Sequence, residues 1–90
     1  MEDIIKYEGK AGVLKAIAHP VRLCIIKGLM DKKCNVSHIQ ECLELPQSTV
    51  SQHLGILRSK GIIKGERNGL EVTYSVVNED VKKIINALFD

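Results

Sequence analysis

The sequence predicts a mainly α-helical domain carrying one small β-hairpin, and three observations lead there. Apolar residues recur at helical spacing through most of the chain, prolines at 20 and 46 cut that pattern into separate helices, and Asn68-Gly69 divides two short runs that read as strands. Ninety residues make one domain, 1–90, with residues 1–9 expected as a loosely ordered start of the first helix. So short a chain buries a modest fraction of its surface, and a second copy would help to stabilise it.

The first helix is expected over residues 4–18, with Ile4, Ile5, Val13, Leu14 and Ile17 on its apolar side. Gly9 and Gly12 each cost about 1 kcal/mol against Ala inside a helix, so Lys10 to Ala18 is its firmer part. His19-Pro20 ends it, because the residue before proline is pushed away from helical angles, and Pro20 then suits the first turn of a second helix. That helix, Pro20 to Met30, is apolar nearly all round and is expected to be the buried core helix. Asn35 is expected to cap a third helix with Val36, Ile39 and Leu43 as its core stripe, and Pro46 bars its continuation.

The fourth helix, Gln47 to Lys60, turns Val50, Leu54 and Leu57 inward and Ser48, Gln52 and Ser59 outward, with Thr49 and Ser51 flanking the stripe. Gly61 closes it as a left-handed cap. Strands are expected over Ile62 to Arg67 and Leu70 to Val76, where Leu70, Val72, Tyr74 and Val76 face inward and Asn68-Gly69 forms a type I′ turn. Asn78 caps the last helix, Glu79 and Asp80 complement its dipole, and Val81, Ile84, Ile85, Leu88 and Phe89 form its apolar face. Two helices meeting at the Pro46 turn, with a hairpin after them, make a winged helix-turn-helix, in the order helix, helix, helix, helix, strand, strand, helix.

Composition narrows the function. With 44% hydrophobic and 27% charged residues the chain is globular, and one Phe, two Tyr and no Trp offer no stacking platform for single-stranded nucleic acid. The acidic start precedes no long apolar run, so neither a signal peptide nor a membrane partner is expected. Three cysteines without a disulfide spacing fit a reducing, cytoplasmic compartment. The net charge is only +2, but between Gln47 and Gly69 stand Arg58, Lys60, Lys64 and Arg67 against the single acid Glu66. That is the electrostatic footprint of a phosphate-backbone binder, or else an ordinary solvated face.

The outer face of the fourth helix carries the chemistry. Glutamine can grip adenine through two hydrogen bonds, and serine and threonine can bond base edges or phosphates. Gln47, Ser48, Thr49, Ser51 and Gln52 present those groups at the end of a helix that attracts phosphate. Ser48 could equally be a plain cap, and His53 a partly buried structural side chain. Arg58 and Lys60 suit phosphates better than bases. No nucleophile–base pair, glycine-rich phosphate loop or carboxylate pair is visible, so neither an enzyme nor a cofactor is expected. The competing reading is a winged-helix module that binds proteins.

Ala18-His19-Pro20-Val21-Arg22-Leu23, then Leu45-Pro46-Gln47-Ser48-Thr49-Val50-Ser51-Gln52-His53-Leu54, then Asn68-Gly69-Leu70-Glu71-Val72 with Tyr74, resemble the ArsR/SmtB family of transcriptional repressors. The likeness runs from about Lys10 to the C-terminus. It implies a homodimer on an inverted-repeat operator of double-stranded DNA, with the fourth helix in the major groove and the hairpin as a wing beside the minor groove. Carried over by position, Gln47, Ser48, Thr49, Ser51, Gln52 and His53 are the reading candidates, with Arg67 and Asn68 at the wing tip and Lys64 on the strand leading to it. The first and last helices would pair the copies through Val13, Leu14, Ile17, Val81, Ile84, Ile85, Leu88 and Phe89.

At the family's Cys-x-Cys metal site stand Asn35 and Ser37, and at its C-terminal site only Asp80 remains, with no histidine on the last helix. No metal is therefore expected, and the departures resemble the PagR-like branch that lacks metal sites. A metal or thiol effector acting through Cys34, His38 and Cys42, with Cys34 as the exposed thiol, is the lesser alternative. Cys24 and Cys42 read as small buried hydrophobes.

Overall fold

The computed structural model describes residues 3–31, 34–35, 40 and 43–89, with the backbone alone for Cys34 and Asn35. The elements are α1 (Ile4–Ile17), α2 (Pro20–Asp31), β1 (Cys34–Asn35), α3 (Gln47–Ser59), β2 (Ile63–Asn68), β3 (Glu71–Val76) and α4 (Glu79–Phe89). Four helices are described where the sequence suggested five. The expected third helix, with Val36 and Ile39, falls mostly on residues outside those described. From its end, Leu43 packs against the core and the Glu44 N–H donates to the Gln40 carbonyl at 2.9 Å. What was expected as the fourth helix is α3.

Local chemistry sets the boundaries. The His19 ring caps α2, its Nδ1 accepting from the Val21 N–H at 3.1 Å, while Pro20 occupies the first helical position. α3 closes on Gly61, whose φ is +70°. There the Ile62 N–H donates to the Leu57 carbonyl and the Gly61 N–H to the Arg58 carbonyl, each at 3.0 Å, the paired bonds of a Schellman motif. Leu57 and Ile62, the apolar pair of that motif, are both fully buried. Asn78 caps α4, its Oδ1 accepting from the Val81 N–H at 3.0 Å.

The sheet has three strands in the order β1-β3-β2, all antiparallel. β1 was not expected: Asn35, anticipated as a helix cap, lies with its backbone opposite Thr73, and Cys34 lies opposite Tyr74. The hairpin turn is also displaced by one residue. Asn68 pairs with Glu71, so Gly69 and Leu70 are the central residues, and only Gly69 has a positive φ, +65°. That is the requirement of a type II′ turn with glycine first, not of the expected type I′ turn on Asn68-Gly69. Leu70 consequently leaves the inward-facing row and is fully exposed, whereas Val72, Tyr74 and Val76 keep to it.

The core joins all four helices to the sheet through Ile17, Ile25, Ile26, Leu29, Val50, Leu54, Leu57, Ile62, Ile63, Tyr74, Val76, Val81 and Ile85. α2 contributes one face only. Cys24 is exposed, against the expectation of a buried thiol, because it lies one turn from Pro20 and from Gly28 on the outer side of the helix. The long dimension is 46 Å, and two parts are little covered by the rest. α1 is helical from Ile4 yet buries no side chain before Ala16, and the hairpin is exposed throughout from Lys64 to Glu71. No described helix is long and apolar enough to cross a membrane.

Candidate nucleic-acid interface

α3 is anchored by one face and open on the other. Val50, Leu54 and Leu57 lock it into the core, while Gln47, Ser48, Ser51, Gln52, Arg58 and Ser59 are exposed. Thr49 is half-buried on the flank. Pro46 precedes the first turn with φ −58° and ψ 145° and supplies no side-chain cap. Its carbonyl accepts from the Thr49 and Val50 N–H groups, both at 3.1 Å, and no acid stands in the first turn. The leading N–H groups and the positive end of the dipole are thus presented next to Gln47 and Ser48. Sequence reading passed over Ile56, which lies one turn beyond Gln52 on the open strip and is 40% exposed. The spacing from Gln52 was the available signal.

His53 differs from its neighbours on the helix. It is half-buried, its ring 4.7 Å from the ring of His19 and tilted 50° to it. The His53 Nδ1 and the Arg22 Nε are both buried without a hydrogen-bond partner. Burial, with the charges of His19 and Arg22 adding to it, holds the His53 pKa below the ordinary histidine value. The ring contact ties α3 to the start of α2.

The wing separates two of its cations. Lys64 lies opposite Ser75 and Arg67 opposite Val72, so alternation puts Lys64, Glu66 and Asn68 on one face and Gly65 and Arg67 on the other. Asn68 turns back along its face, its Nδ2 donating to Thr73 Oγ1 at 3.5 Å. Gly65 makes room for the Tyr74 ring: a Cβ there would lie 3.0 Å from Tyr74 Cε1. Lys60 is exposed but reaches back over α1, where a Cβ on Gly12 would lie 3.6 Å from its Nζ.

The residues expected to pair two copies fall into two groups. Leu14, Leu88 and Phe89 are 51, 61 and 50% exposed, and Val13 and Ile84 are half-buried. Ile17, Val81 and Ile85 lie inside the protomer's own core, at 4, 0 and 0% exposure. Helical periodicity marked the apolar side of each helix but could not say which apolar residues the chain covers by itself. Ile4, Ile5 and Tyr7 on α1 are exposed as well, at 48, 76 and 61%.

Among the described residues no three His, Cys, Asp or Glu side chains converge as metal ligands. Asp80 lies 3.3 Å from Lys10 Nζ in an exposed ion pair between α1 and α4. Its carboxylate, with no histidine on α4, does not fit the family's C-terminal metal site. His38, Cys42 and the Cys34 side chain lie outside the described residues.

An anchored helix with an open polar face, a turn before it and an exposed hairpin after it define a winged helix-turn-helix DNA-binding domain. The chain belongs to the ArsR family of bacterial regulatory proteins, which matches it over residues 19–64. The transcriptional repressor PagR of Bacillus anthracis is 46% identical over 96% of this chain and 87% of its own length. The PagR crystal structure superposes with a TM-score of 0.85, covering 94% of this chain and 98% of that one. HlyU of Vibrio cholerae, described as a transcriptional activator, is 36% identical over 98% of this chain and 82% of its own. A homodimeric winged helix-turn-helix DNA-binding domain from Mycobacterium bovis, described as a possible ArsR-family regulator, has a TM-score of 0.87 at 27% identity, covering 96% of this chain and 80% of that one. Membership of a family of regulators agrees with the expectation that the chain is not an enzyme.

Proposed function

We propose that this protein is a cytoplasmic, homodimeric repressor that reads an inverted-repeat operator, with α3 in the major groove and the β2–β3 wing over the adjacent minor groove. The observation that carries this reading is the open arc of α3. Ser48, Ser51 and Gln52 face outward from a helix whose opposite face is fully buried, so the backbone behind them is rigid and their donors and acceptors are held in fixed register. Gln52 is assigned to an adenine edge, and Gln47, Ser48, Thr49 and Ser51 to neighbouring bases and phosphates. Arg58, Lys64 and Arg67 are assigned to the phosphate backbone, with Lys60 and Asn68 as supporting contacts. His53 acts by holding α3 against α2.

The exposed apolar faces of α1 and α4 support the dimer, with Leu14, Leu88 and Phe89 as its centre and Val13 and Ile84 at its edge. The homodimeric relative from Mycobacterium bovis supports a two-copy assembly as such. Repression is assigned by likeness to PagR, and HlyU supplies the alternative sign, activation. No effector is included in the reading.

The test is selection of bound sites from random duplex DNA at near-physiological salt. An enriched palindrome with half-sites about 10–10.5 bp apart is expected, bound with an affinity that falls steeply as salt rises. No enriched sequence and a flat salt response would instead favour a protein-binding module.

A further inference from the structure

We propose that Leu70 is an apolar wedge for the minor groove of duplex DNA, through which the wing reads the deformability of a base step; the proposal rests on the DNA-binding reading above. Leu70 is 102% exposed, the most exposed of the large hydrophobic side chains among the described residues. Most of the others gather where α1 and α4 offer a face to a second copy: Ile4, Ile5, Tyr7 and Leu14 on one helix, Leu88 and Phe89 on the other. Leu70 stands apart from them, at the far end of a hairpin that is exposed on both faces from Lys64 to Glu71.

Turn chemistry does not account for a leucine there. The positive φ of the turn falls on Gly69, and the second central position ordinarily goes to a polar residue that bonds its own backbone or water. A leucine gains nothing from the turn and leaves its whole side chain in water. Its surroundings, however, suit a groove. A Cβ on Gly69 would meet nothing within 4 Å, so the tip is slim, and Leu70 leads it as the one bulky side chain of the two-residue loop. Arg67 and Asn68 follow directly behind on β2, a cation for the phosphates that flank the groove and an amide of a type that reads its floor. Glu71 shares a face with Asn68, not with Arg67, which leaves the Arg67 side free of that acid. The minor groove is about 6 Å wide, and apolar side chains flanked by such groups enter it at steps that unstack readily.

The test compares the full chain with Leu70→Ser and Leu70→Met, using a selected operator that carries either a TA or a GC step beneath the wing. Fluorescence anisotropy across a salt series gives affinity and salt slope, and end-labelled duplexes report bending by energy transfer. Thermal melts serve as the fold control, because so exposed a side chain contributes nothing to protomer packing. The wild type should favour the TA operator. Leu70→Ser should bind that operator about 10-fold more weakly, lose the preference and bend the duplex less, with its salt slope unchanged because no phosphate contact is removed. Leu70→Met should keep both affinity and preference. Equal binding by Leu70→Ser, or an equal loss on both operators, overturns the wedge. Failure of the wild type to bind any duplex overturns the DNA reading beneath it.

Discussion

Gly65→Ala tests whether the wing is held in place by Tyr74. The added Cβ would lie 3.0 Å from Tyr74 Cε1, 3.2 Å from Val72 Cγ1 and 3.4 Å from Tyr74 Cδ1. The Tyr74 ring cannot simply swing into water, because the residue is 7% exposed and its backbone pairs on both sides, with β1 and with β2. Forcing a methyl group into so close a contact costs about 1–3 kcal/mol. Removing a glycine from a strand offsets up to about 1 kcal/mol of that by reducing the freedom of the unfolded chain. With a steric cost near the middle of that range, about 2 kcal/mol, the net loss is about 1–2 kcal/mol, or roughly 5–15 °C in melting temperature for a domain of this size. Circular dichroism melts at one fixed protein concentration measure it, since association shifts the transition by mass action. A Tyr74→Leu background should relieve part of the penalty, since the Cε1 contact is then gone while that with Val72 Cγ1 remains. A Gly65→Ala melting temperature within about 2 °C of the wild type would refute the contact as the hairpin's anchor.

Other substitutions separate the remaining claims. Asn78→Ala removes the oxygen that accepts from the Val81 N–H and should cost about 1 kcal/mol, read as a lower denaturation midpoint with an unchanged slope. Because the folded protein holds His53 below its ordinary pKa, that histidine contributes stability that is full above about pH 6.5 and lost as the pH falls through the folded-state value. The difference in melting temperature between pH 7.5 and 5.5 should therefore shrink in His53→Gln; an unchanged difference rejects the assignment. Arg67 is exposed and makes no ion pair among the described residues, so Arg67→Ala should leave the fold intact. It should flatten the salt slope of operator binding by about 2, one phosphate per protomer, and a parallel shift of the curve without a change of slope would remove Arg67 from the backbone contacts. Leu88→Asp should yield folded monomers in sedimentation equilibrium. Ile85→Asp would instead place a charge in the protomer's core and unfold it, so dimers persisting in Leu88→Asp would move the interface elsewhere.

Features fixed by neighbouring residues could be read from the sequence. The Asn78 cap, the Gly61 helix end and Pro20 at the start of α2 each follow from one residue's own chemistry, and each is present. The inward stripe of α3 also follows, since Val50, Leu54 and Leu57 repeat at helical spacing over a long segment. Features that depend on distant partners could not be read. β1 is only two residues long, and its pairing is set by the exposed edge of β3 rather than by any strand signal of its own. The turn slipped by one residue because glycine suits both type I′ and type II′ turns; the choice is made where Ile63, opposite Val76, must face the core. His19 and His53 meet only after α2 and α3 have packed, so neither the contact nor its effect on protonation was legible. Which apolar residues of α1 and α4 the protomer covers by itself required coordinates for the same reason.

The bare first turns of α1 have a consequence for gene control. A helix of this length that buries nothing before Ala16 is marginal by itself, so its order and the pairing of two copies are expected to rise and fall together. Operator occupancy would then climb with roughly the square of protein abundance wherever free subunits outnumber dimers. A twofold change in synthesis or proteolysis would thus change operator occupancy by up to about fourfold.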